Sequence, residues 1–130
     1  MDWIQQAISD FGDSLGMEDL ALDDNGSLEL VLESGELIGI VHLAEAADKE
    51  MLVYAGAPLR FDPLAQMERA LQLGNARYGV LPAVQTAISN NLLVLSMRLP
   101  AREFDLPALD EAVWRLIDMQ HDAADASNNL

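Results

Sequence analysis

The chain has 130 residues, the size of one domain that buries roughly two thirds of the surface its unfolded chain exposes. Hydrophobic residues make up 51%, cysteine is absent, and 22 acids against 7 bases leave a formal net charge of −15. This composition excludes disulfides, thiol catalysis and thiolate metal sites, and its field repels nucleic-acid phosphates and anionic membranes.

The elements follow in chain order. Residues 2–15 form an amphipathic pattern, with Trp3, Ile4, Ala7, Ile8, Phe11 and Leu15 at helical spacing and Gly16 as a stop. Asp23-Asp24-Asn25-Gly26 is a turn signal. Leu28, Leu30 and Leu32 then alternate with Glu29, Val31 and Glu33, the period of a half-buried strand. Strands are predicted over 36–43 and 51–56, and the short connections favour an antiparallel meander. Asp62 is placed to cap a second helix with Pro63 at its first position. Leu64, Met67 and Leu71 make the apolar stripe of that helix, with Ala70 at its margin and Leu73 on the other side, and Gly74-Asn75 as its end. Residues 76–91 are ambiguous: Tyr78-Gly79-Val80 and 83–88 both have strand character, before a turn at Asn90-Asn91. A strongly apolar strand over 92–99 ends at Pro100, and Asp105 caps a last helix with Pro107 in its first turn. The tail from Asp122 lacks apolar periodicity, so one domain over 1–121 and a disordered tail over 122–130 are expected. The order α-β-β-β-α-β-β-α argues an α+β fold, a twisted antiparallel sheet with helices packed on it.

Charge is uneven along the chain. Residues 1–65 carry 14 acids and two bases, a net of −12, whereas residues 66–130 carry a net of −3. A strong field of one sign keeps a protein with exposed apolar surface soluble. No run of ~18 apolar residues suggests a membrane span. The start Met1-Asp2-Trp3-Ile4-Gln5-Gln6 lacks the basic and apolar regions of a signal peptide, so a cytoplasmic location is expected.

Recognisable chemistry is missing. Asp23-Asp24-Asn25-Gly26 fails as a calcium loop, because positions 1 and 12 fall on Ala21 and Leu32. His42 and His121 lie far apart, without ligand spacing, and His42 reads as a half-buried strand residue. There is no nucleophile elbow, and the eight glycines form no phosphate cradle. No catalytic residue, metal or cofactor is expected.

Length, acidity and element order resemble the class I type III secretion chaperones, the Tir-chaperone family. The resemblance is carried by Leu15-Gly16, the stretch 20–28, Ala57-Pro58-Leu59, the stretches 70–76 and 92–100, and the last helix over 106–119. It covers roughly residues 1–120, and the stretch 81–86 leaves the register of the fourth strand open. The resemblance implies a non-catalytic homodimer that holds an extended N-terminal segment of a secreted effector in the bacterial cytoplasm, a virulence function. By the resemblance, the second helix and a neighbouring strand make the dimer contact, through Leu64, Met67, Leu71, Leu73, Leu93 and Leu95. The effector is expected on the first helix (Trp3, Ile4, Ala7, Ile8, Phe11) and on the adjoining strand (Leu28, Leu30, Val31, Leu32), with Trp3 and Ala7 as the contacts at the margin of the band. Two readings compete: an acidic regulatory or protein-binding module, YbjN-like or an anti-activator, and an enzyme with a scattered site.

Overall fold

The computed structural model describes residues 2–43, 49–76 and 84–128. Helix α1 (Asp2–Ser14) is followed by strands β1 (Ser27–Val31), β2 (Leu37–Leu43) and β3 (Glu50–Pro58). Helix α2 (Pro63–Ala76), strands β4 (Gln85–Ser89) and β5 (Leu92–Pro100), and helix α3 (Leu106–Asn128) follow among the described residues. The five strands make one antiparallel sheet in the order β1-β2-β3-β5-β4. The element order and the α+β class are those expected.

Local chemistry explains the boundaries. Asp62 Oδ1 accepts the backbone N–H of Ala65 at 3.0 Å, and Asp105 Oδ1 that of Ala108 at 2.9 Å, so both predicted caps form. Gly16 ends the α1 turn at φ +76°, a conformation that costs a side chain but not glycine. Asn90 and Asn91 both adopt positive φ, the pair of left-handed residues that a two-residue hairpin between β4 and β5 requires. Helix α2 runs through Gly74 and Asn75 to Ala76 instead of stopping at the glycine.

The sheet register decides which face is buried. Leu30, Ile38, Ala55 and Leu95 stand in one row across four strands, and Ile40, Val53 and Met97 in the next; all are buried. Helix α3 lies on this face against β3 and β5, with α1 and α2 packed on it. Its stripe of Leu109, Val113, Leu116 and Gln120 is buried, and Gln120 Nε2 donates to the carbonyls of Ala55 (2.9 Å) and Leu93 (2.7 Å). The amide nitrogen bolts α3 to two strands, while the Gln120 Oε1 is buried without a hydrogen-bond partner among the described residues.

Two expectations are corrected here. Residues 122–128 are the last turns of α3, not a disordered tail. The stripe continues to Ala123, which is fully buried, and Arg69 makes a bidentate ion pair with Asp122 at 2.9 and 3.2 Å. The pair holds the Asp122 carboxyl below the usual carboxylate range and raises the Arg69 guanidinium. The boundary at residue 121 therefore vanishes into the domain. Second, Leu93 and Leu95 cannot be interface residues in this fold. They point to the helix-covered face and are fully buried, while their neighbours Leu92 and Val94 stand on the helix-free face. Tyr78–Val80, the other candidate for the fourth strand, lies outside the described residues; the strand that is described starts at Gln85 and pairs it with Ser96.

Candidate functional site

The first candidate surface is the α1–β1 side. Of the α1 residues expected at a partner, Ile4, Ala7, Ile8 and Phe11 are buried, with Ile8 and Phe11 fully so. The apolar band of α1 belongs to the core, where the helix packs against α3. Ala7 is thus corrected from a contact to a core residue. Trp3 is 53% exposed, but its indole N–H is donated to the Ala101 carbonyl at 3.1 Å, which fixes the ring over the corner after β5. On β1, Leu30 is buried, Leu28 and Leu32 are half-buried, and Val31 is 60% exposed.

Strand β1 is one edge of the sheet, and its ladder shows what that edge offers. Leu32 N–H donates to the Glu36 carbonyl at 2.9 Å and His42 N–H to the Gly26 carbonyl at 2.7 Å. The alternation of an antiparallel ladder then turns the even residues 28 and 30 toward β2 and the backbone groups of Ser27, Glu29 and Val31 outward. The side chains of these three lie on the helix-free face.

That face is half apolar. Val41, Leu52, Leu37, Val94 and Leu92 are half-buried there, and a trough of about 350 Å³ runs across it between Glu29 and Asn90. Tyr54 lies flat over Gly39: a Cβ at Gly39 would sit 1.8 Å from the ring. The Tyr54 hydroxyl donates to Glu29 Oε2 at 2.6 Å. Burial first, and then the hydrogen bond and charge of Glu29, push the phenol up to about 12. Tyr54 therefore remains a neutral donor that orients Glu29 at the β1 edge.

The second candidate surface is the α2–β4 side. Helix α2 buries Gln66 and Ala70 and half-buries Met67 and Leu73. Gln66 is satisfied at the buried face, its Oε1 accepting the Arg60 N–H at 2.7 Å and its Nε2 donating to the Pro58 carbonyl. As a result Leu64 (62% exposed) and Leu71 (48% exposed) turn outward, one above the other at i and i+7. Ile88 on β4, the opposite edge strand, is 47% exposed, and Phe61 stands before α2 almost wholly in solvent. Ile88 and Phe61 carry no sequence signal of their own: their exposure depends on which strand is an edge and on where α2 enters.

Other side chains carry polar chemistry that spacing alone does not reveal. Glu36, buried at the β1–β2 turn, accepts hydrogen bonds from the Ser34 hydroxyl and from His121 Nε2 of α3. Burial pushes its carboxyl up, but the bonds from Ser34 and His121 outweigh this and hold it below the ordinary range. A groove of about 380 Å³ between α2 and α3 is lined by Leu73, Trp114 and Met119 together with Asp110, Glu111 and Asp118. Among the described residues, no group of three His, Asp or Glu side chains is placed to hold a metal ion. No helix among them is long and apolar enough to cross a membrane.

The model of the Tir chaperone protein (CesT) family matches residues 6–122. The chain belongs to this family. Its fold is shared with solved structures of low sequence identity. A chain of the ExsC–ExsE complex is 15% identical with a TM-score of 0.74, the match covering 94% of this chain and 91% of that one. A chain of the HopA1–SchA chaperone–effector complex is 17% identical with a TM-score of 0.70, over 95% and 94%. A chain of the ExoT–SpcS complex of Pseudomonas aeruginosa is 16% identical with a TM-score of 0.60, over 90% and 93%. No individually curated protein matches the sequence. The match to a chaperone family favours the secretion-chaperone reading over the acidic regulatory module.

Proposed function

We infer that this CesT-family chain is a type III secretion chaperone: it binds a segment of a secreted effector, stabilises it and keeps it competent for export. The observation that carries this is the family match over 117 consecutive residues, which takes in strands β1 to β5, the whole of α2 and most of α1 and α3. The surface supports it. A heavily acidic domain that leaves Val31, Leu64, Leu71 and Ile88 in solvent has apolar sites for other chains and enough charge to stay dispersed. The effector segment lies at the α1–β1 side, adding to the exposed edge of β1 with anchors near Leu28, Val31 and Leu32. A second copy of the chain covers the α2–β4 side through Leu64, Leu71 and Ile88, with Met67 and Leu73 at the margin. The protein works without catalysis, in the bacterial cytoplasm.

The test is co-purification of the tagged chain from its native host, mass spectrometry of what it retains, and calorimetry with the retained protein's N-terminal segment. Stoichiometric binding of a secreted protein through that segment is expected. A partner that is folded, not secreted, and released by moderate salt alone would instead fit an acidic regulatory module.

A further inference from the structure

The free edge of β1 is bounded at both ends by its own neighbours. At Ser27 the outward backbone groups are already taken: the Asp23 N–H donates to the Ser27 carbonyl at 2.8 Å, and the Ser27 N–H donates to Asp23 Oδ1 at 3.0 Å. Asp23 Oδ1 also accepts the Asn25 N–H at 2.9 Å, so the carboxylate is held in place. The Ser27 backbone bond, together with those of Asn25 and the Ser27 hydroxyl, overcomes slight desolvation and keeps Asp23 ionised below the usual range. At the other end the chain turns: Leu32 N–H goes to the Glu36 carbonyl, and the Gly35 N–H to the Leu32 carbonyl at 2.9 Å. Between these stops only Glu29 and Val31 present outward N–H and C=O groups, and among the described residues nothing bonds to them.

We propose that this two-residue window fixes the register of the bound segment and selects, in N-to-C order, an apolar–apolar–basic tripeptide. The inference rests on the secretion-chaperone reading and adds the chemistry of the partner at its β1 edge. In an antiparallel addition the first residue stands opposite Val31 on the helix-free face, and an apolar side chain suits it. The second stands opposite Leu30 and points to the helix side, where Leu20, Leu22, Leu28 and Leu32 are half-buried against the core. The third stands opposite Glu29, whose carboxylate the Tyr54 hydroxyl holds on the face where the cross-strand side chain arrives. A lysine or arginine pairs with it there; an acid is repelled by Glu29 and by the net −12 of residues 1–65. The segment must then leave the edge, because Asp23 occupies the next backbone position.

The experiment is selection of 16-residue peptides from a random display library on the full-length protein, followed by titration of an enriched synthetic peptide into ¹⁵N-labelled protein. Enriched sequences carrying apolar–apolar–basic, with the largest shifts at the Glu29 and Val31 amides and little at Ser27, are expected. Glu29→Lys should change the preferred third residue from basic to acidic and weaken the original peptide roughly fivefold or more. Val31→Pro removes an outward N–H at an edge that tolerates proline; it should keep the circular dichroism spectrum and lose at least about tenfold in affinity. Enriched peptides that bind with shifts on β4 or α2, or with a third-residue preference unmoved by Glu29→Lys, would overturn the window while leaving the chaperone reading intact. Shifts at β1 that vanish with dilution of the protein alone would mean that a second copy pairs there, which also overturns it. Failure to enrich any peptide would count against both.

Discussion

The two edges of the sheet are finished in different ways. At the β1 edge, α1 commits Ile4, Ile8 and Phe11 to the core, and the Asp23 turn and the 32–36 turn blunt the strand until two residues of backbone remain open. At the β4 edge, α2 buries a glutamine and an alanine and leaves its larger side chains, Leu64 and Leu71, in solvent beside Ile88. The first edge offers a short span of open backbone beside the oriented carboxylate of Glu29; the second adds the exposed apolar area of Leu64, Leu71 and Ile88. A segment that must be held extended and in register needs the first kind, whereas a second folded copy needs the second. Apolar periodicity by itself therefore does not identify a binding surface. In α1 the periodic stripe is core, and in α2 much of it is outside.

The largest expected effect is Phe11→Ala, which removes a fully buried ring from the α1 side and should destabilise the fold by about 3–5 kcal/mol in denaturant unfolding. A change below about 1 kcal/mol would mean that α1 is loosely docked and its band is available to partners after all. Next is removal of residues 122–130. Since Ala123 is buried and Asp122 pairs with Arg69, truncation should cost about 1–3 kcal/mol and lower the thermal midpoint by several degrees. The exposed ion pair supplies the smaller part of that.

Glu36→Gln should cost about 1–2 kcal/mol at neutral pH, because the buried carboxylate accepts bonds from Ser34 and His121. The folded-state pKa of Glu36 lies below its unfolded value, so its contribution is full above the unfolded pKa of about 4.3 and is lost as pH falls through the folded one. The stability difference between wild type and variant, followed by urea unfolding from pH 7 to pH 3, should therefore shrink toward the acid end. The smallest effect on the fold of a single copy, within about 0.5 kcal/mol per site, is expected for Leu64→Glu with Leu71→Glu, since both side chains are largely exposed within one copy, and any further loss is the stability that dimerisation adds. Light scattering of that double variant should give the monomer mass, with the wild type at the dimer mass. A wild-type monomer at micromolar concentration would remove the α2–β4 side as an interface.

What sequence alone reveals divides along the same line between local and distant causes. The caps at Asp62 and Asp105, the Asn90-Asn91 turn and the alternation of β1 are legible because each depends on residues a few positions away. The resemblance to the family rests on the same local succession of elements. The facing of α2 is not legible. Its stripe is correct as a pattern, but Gln66 is buried because Pro58 and Arg60 supply its partners, and Ala70 because a small side chain suits the buried side of the helix. Leu93 and Leu95 illustrate the parity of a strand. Both are apolar, like Leu92 and Val94, and only the placement of α3 makes one pair core and leaves the other half-exposed. The helical end of the chain depends on Arg69, 53 residues away from Asp122, and on a pocket for Ala123. The open window on β1 depends on Asp23, which reads simply as a turn residue until its bonds to Ser27 are seen.

On this reading the β1 edge takes the effector while the α2–β4 side takes the second copy. Hydrogen exchange followed by mass spectrometry, comparing the full-length protein alone with its complex with the secreted partner identified by co-purification, tests it most directly. Added protection concentrated at residues 29–31, with 64–71 and 85–89 protected equally in both samples, is the predicted result. Unchanged exchange across 27–31, with new protection confined to 64–71 and 85–89, would contradict it.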